Sequence, residues 1–151
     1  MNLLTGTNQR LLDTGILLVR LVAGAILFAA GAGKLFGWFG GFGLDTTLQL
    51  FSNNLKISGF WAYLSIYTEF IGGFLLAVGL FTRFAAFALL INMIVATWVS
   101  VPSGILSGAS YPFSLAISAL AILLTGPLRY SVDSIIARKP VVTRAPAKKR
   151  R

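Results

Sequence analysis

Neither cysteine nor histidine occurs among the 151 residues. Their absence excludes disulfides, thiol redox chemistry, thiolate metal sites and the usual axial ligands of haem. A few Asp, Glu and backbone oxygens are left as possible metal ligands. Acid is scarce, with four Asp and Glu against 13 Lys and Arg. Charge of either sign is missing between Arg83 and Arg129, a gap of 45 positions that no water-facing surface supplies. With 56% hydrophobic residues and a mean hydropathy of +0.82, this stretch belongs in lipid.

A membrane-crossing helix consumes roughly 20 residues, so the length admits about four. The expectation is an all-α bundle of four transmembrane helices, with a short interfacial helix between the first two. The net charge of +9 is concentrated at one end: residues 129–151 carry +7 and residues 1–128 carry +2. Such a basic tail marks the cytoplasmic side of a multi-spanning protein. It has no aromatic residue after Tyr130 on which bases could stack, which argues against a nucleic-acid partner.

The first apolar run covers Thr14 to Phe36, and it reads as an uncleaved helix rather than a signal peptide because further spans follow. Between 37 and 59, four glycines precede Leu44, Leu48, Phe51 and Leu55 at helical spacing, the pattern of a helix lying in the interface. The second span runs from Phe60 to Leu80. Thr82, read as an N-cap, and Arg83 connect it to the third, Phe84 to Val101. Pro112 opens the fourth span, and Gly126 with Pro127 closes it. This divides the chain into an N-terminal segment (1–13), a membrane domain (14–136) and a basic tail (137–151) expected to be disordered. Arg10, Arg83 and the tail fall on one side, while Trp38, Trp61, Trp98 and Tyr111 fall at the other interface. Both termini are therefore expected in the cytoplasm.

Ala25, Ala29 and Gly33 on the first helix, and Gly72, Gly73 and Ala77 on the second, predict close helix packing. The fourth offers Ser114, Ser118, Ala121 and Thr125 on one face. Arg20 and Glu69 stand apart, because an ionisable side chain within the hydrocarbon costs at least about 2.5 kcal/mol on insertion scales and is paired or functional. Counted from the ends of their apolar runs, they lie within side-chain reach of each other. The expectation is a coupled pair, either a structural ion pair fixing the register of two helices or a site for a polar headgroup, with Lys34 or a lipid as substitute partner for Glu69.

Several segments together resemble the DoxX family of small four-helix bacterial membrane proteins, over about residues 11–136. Leu17–Leu21 with Arg20, followed by Gly31, Ala32, Gly33, Lys34, Leu35, Phe36 and Gly37, resembles the family's arginine and its G-x-x-K-L-F-G ending. Glu69, Phe70, Ile71, Gly72 and Gly73, then Gly79 to Arg83, resemble E-x-x-G-G and G-L-x-T-R. Gly126 to Asp133 is similar to G-P-x-R-Y-S-x-D. The resemblance implies redox work at the bacterial cytoplasmic membrane, where relatives include a subunit of a thiosulfate to quinone oxidoreductase. The sequence departs from the family at Ala30, Ser100 and Ser110, where two histidines and an acid are often found. Arg20, Lys34, Glu69 and Arg83 remain as candidate intramembrane or ligand-binding residues.

These observations lead to an integral, accessory subunit of a redox-associated complex, contributing helices and a quinone or lipid pocket, with no metal or cofactor bound by the chain itself. A self-sufficient quinone-linked oxidoreductase using Arg20 and Glu69 is the alternative. A small-solute transporter is a third reading, disfavoured by the few polar groups in the spans.

Overall fold

The computed structural model describes residues 9–136. They form an all-α membrane bundle: α1 (Gln9–Phe36), α2 (Gly43–Asn53), α3 (Gly59–Val78), α4 (Thr82–Ser100), α5 (Ser110–Thr125) and α6 (Val132–Ile136). The segments Gln9–Phe36, Gly59–Val78, Thr82–Ser103 and Ile105–Thr125 are long and apolar enough to cross a membrane. Outward rings and aliphatic chains such as Phe74, Phe87, Ile94 and Leu124 are exposed, as lipid-facing side chains are. The basic tail, 137–151, lies outside the described residues.

The local punctuation is mostly glycine. Gly79 ends α3 with φ +77, and the N–H groups of Gly79 and Leu80 both return to the Leu75 carbonyl. This closes α3 in a tight αL cap. A short 3₁₀ turn and a π-type turn (Ile105–Ala109) precede α5, so the fourth span begins earlier than Pro112. The N-cap of α4 also differs from expectation. Phe81, at φ +48, holds that position and Thr82 is already helical. The carboxylate that serves the first amides of α4 comes from Asp133, as described below.

Helices α1 and α3 pack closely, α4 packs on α5, and α3 joins the two pairs. A Cβ on Gly24 would lie 2.6 Å from the Ala77 nitrogen, one on Gly31 would strike the Phe70 backbone, and one on Gly73 would strike the Phe28 nitrogen. The α1–α3 seam is therefore built on Gly24, Gly31 and Gly73, which let two backbones touch. Ala25 points outward, one position off the expected stripe. The core fills behind this seam with Leu27, Leu76, Leu89, Met93, Leu115 and Ile122. By contrast α1 and α5 meet sparsely. An apolar groove of about 420 Å³, lined by Leu18, Val22 and Ile26 of α1 and Ser114 and Ser118 of α5, remains open between them. Both serines donate to the carbonyl four residues earlier in their own helix, which leaves the groove apolar.

Candidate functional site

At one end of the bundle the chain folds back on itself after α5. Arg20 is 2% exposed. Its Nη1 donates to the Pro127 carbonyl at 3.1 Å and its Nη2 to the Tyr130 carbonyl. Gly79 makes room for the guanidinium, since a Cβ there would lie 2.8 Å from Arg20 Cζ. The next turn supplies Asp133, whose Oδ1 and Oδ2 accept the Phe81 and Thr82 N–H groups at 2.8 Å each. The Asp133 N–H donates in turn to the Gly79 carbonyl at 3.0 Å. Asp133 thus caps α4 from 51 residues away in sequence. Burial opposes ionisation of this carboxyl, but the Thr82 and Phe81 N–H groups and the charge of Arg20 outweigh it and hold its pKa below the ordinary value. Arg83 lies at the same end, its guanidinium alongside Gly126.

The second polar cluster is inside the span. Glu69 sits about 14 Å from the nearer end of α3, counting 1.5 Å per residue from Val78, and its side chain is 4% exposed. Lys34, two residues before the end of α1, donates its ammonium to Oε1 at 2.6 Å and Oε2 at 2.5 Å. Its own side chain is 31% exposed. From α4, Asn92 Nδ2 lies 3.5 Å from Glu69 Oε1 and 3.4 Å from the Ser65 carbonyl. Thr47 of the interfacial helix α2 ties this layer to α1, donating to the Gly43 carbonyl at 2.6 Å and approaching the Lys34 carbonyl at 3.5 Å. A chain of rings runs beside the pair: Phe28 stacks on Phe70 at 5.0 Å, Phe36 meets Phe70 edge-on at 5.6 Å, and Trp38 lies 5.0 Å from Phe36.

The structure thus corrects the expected Arg20–Glu69 pair. Glu69 belongs to Lys34, and Arg20 belongs to the chain after α5. The reason is shear. Apolar-run ends suggested similar depths, but the Gly24–Ala77 and Gly31–Phe70 contacts put Arg20 level with the α3–α4 turn and Glu69 level with Ala32. The two are then roughly 18 Å apart along the axis at 1.5 Å per residue. Of the four candidates, Lys34 and Glu69 come together, and Arg20 and Arg83 line the opposite end. Asn92 was missed. It is the one amide in the apolar run of α4, and an amide in lipid seeks a partner on another helix. No three potential metal ligands of the His, Cys, Asp and Glu types gather among the described residues.

The DoxX family model matches residues 15–101, which include Arg20, Lys34, Glu69, Arg83 and Asn92. The chain is 31% identical over 127 residues to "Putative oxidoreductase CatD" of Bacillus subtilis (strain 168), covering 82% of this chain and 88% of that protein. It is 28% identical over 138 residues to "Inner membrane protein YqjF" of Escherichia coli (strain K12), covering 87% and 98%. No solved structure matches it.

Proposed function

We propose that this chain, which belongs to the DoxX family, serves as an accessory subunit of a redox-associated complex in the bacterial inner membrane and offers a quinone-type headgroup a place beside Lys34 and Glu69. The carrying observation is the Lys34–Glu69 pair itself. A buried carboxylate at midspan is costly in lipid and marks a functional position by default, and its ammonium partner stays a third exposed. A donor in that position can hydrogen-bond a carbonyl oxygen arriving from the membrane. The rings of Phe28, Phe36, Phe70 and Trp38 alongside suit a flat head, and the open α1–α5 groove suits a partner helix or an isoprenoid tail.

Electrons would then reside on the diffusible quinone or on a partner's cofactor, because a chain without Cys or His lacks the usual ligands of haem, iron–sulfur and copper centres. Orientation follows the positive charges. Arg83 beside Gly126 and Arg129 beside Gln9 share one end, which faces the cytoplasm on the positive-inside rule. The decisive experiment is purification of the full chain in mild detergent, with copurifying proteins and quinones identified. A stoichiometric partner, with quinone lost from Lys34→Met, supports the reading. A chain that retains a visible chromophore or transition metal without any partner overturns it in favour of a self-sufficient oxidoreductase, the activity that the name of the Bacillus relative suggests.

A further inference from the structure

Asp13 is placed where a carboxylate should not be left alone. It is 2% exposed, and its Oδ2 is buried with no hydrogen-bond partner among the described residues. Burial without a partner disfavours a charge strongly, so a donor brought to Oδ2 would stabilise the carboxylate. Asp13 also lines a recess of about 480 Å³, together with Gln9, Leu128, Arg129 and Ser134, a volume within the range of small-molecule sites.

The walls narrow the chemistry of the occupant. Ser134 spends its hydroxyl on the Arg129 and Ser131 carbonyls, so among the described lining residues the charged groups are the Asp13 carboxylate and the Arg129 guanidinium. A bare cation would meet Asp13 but be repelled by Arg129, and a bare anion would suffer the reverse. A dipolar molecule satisfies both. Depth selects its source: Asp13 lies seven residues before Arg20, roughly 10 Å along α1, and Arg20 is level with the turn that ends α3. That places the recess beyond the hydrocarbon, in the layer of lipid headgroups.

We propose that this recess binds a primary-ammonium phosphate ester, the headgroup chemistry of an aminophospholipid, with the ammonium on Asp13 and the phosphate on Arg129. This site is distinct from the Lys34–Glu69 cluster, which lies at the far end of α1.

The test uses the full chain in mild detergent, titrated with phosphatidylethanolamine, phosphatidylcholine or phosphatidylglycerol and read by native mass spectrometry of retained lipid. Phosphatidylethanolamine should be retained at least tenfold better than the choline lipid, whose quaternary ammonium has no N–H to give Asp13. Asp13→Asn should erase that preference, Asp13→Glu should restore part of it, and the exposed Arg129→Gln should weaken phosphatidylethanolamine and phosphatidylglycerol alike. Water-soluble phosphoethanolamine distinguishes the sources. Displacement of the lipid at millimolar concentration assigns the site to the headgroup chemistry in any form, and failure to displace it assigns the site to the lipid. Equal retention of all three lipids, or a preference untouched by both Asp13→Asn and Arg129→Gln, overturns the proposal. An Asp13→Asn shift in melting temperature that is the same in every lipid would also overturn it, because the carboxylate would then belong to another group of the chain.

Discussion

Removing Lys34 should be more damaging than removing its partner, and the asymmetry follows from where the two charges sit. Lys34→Met leaves the Glu69 carboxylate buried about 14 Å from the nearer end of α3, with only the long Asn92 contact on Oε1. Breaking a buried pair from one side costs about 3–5 kcal/mol in soluble proteins. The partial exposure of this pair lowers the expectation to about 2–3 kcal/mol. Glu69→Gln leaves an ammonium two residues from the end of α1 and 31% exposed, free to turn its flexible stem toward the interface. Its cost should be about 1 kcal/mol. The double variant should cost little more than Glu69→Gln alone, a coupling of about 2–3 kcal/mol. Reversible unfolding of the purified chain in bicelles, followed across the four-member cycle, measures each term. Additivity within about 0.5 kcal/mol, or Lys34→Met no worse than Glu69→Gln, would refute the account of the pair.

Other consequences can be checked independently. Gly24→Ala drives a methyl into Ala77 of α3 and should cost about 1–3 kcal/mol, whereas Gly15→Ala meets nothing within 4 Å and should gain up to about 1 kcal/mol of helix propensity; the same unfolding assay reads both. Asp133 has a lowered folded pKa, so its clip on the α3–α4 turn is fully present above the unfolded carboxyl value of about 3.9 and lost as pH falls through the folded one. Hydrogen exchange at the Phe81 and Thr82 amides should accelerate over that acid window, and Asp133→Asn should cost about 1 kcal/mol near neutrality while flattening the acid response. The chain has no native cysteine, so Ser103→Cys and Ile136→Cys, both at exposed positions, should label from opposite sides of the membrane, Ser103 from the periplasm. Labelling of both from one side would remove the proposed topology.

The number of spans, the helix end at Gly126 and the interfacial helix are local properties, and hydropathy with turn chemistry made each of them legible. The pairing of intramembrane charges is a relation between helices, and counting depth from apolar-run ends could not supply it. One local rule did bear on it. Every Cα–Cβ bond in a helix tilts toward the helix N-terminus. Since α1 and α3 run antiparallel, Arg20 leans toward the α3–α4 turn while Glu69 leans toward the opposite end, so the two side chains diverge. Lys34 leans from the end of α1 into the span, against the direction of Glu69, and those two converge. The contact register then puts Lys34 level with Tyr67, about 3 Å from the level of Glu69, within reach of a lysine stem. Asp13 and Asp133 needed more than this rule, because their environments are made by the chain after Gly126 folding back across α1 and α4. No periodicity in either helix announces that return. The carboxylate that caps α4 and the one that lines the headgroup-layer recess therefore emerge only once the bundle is assembled.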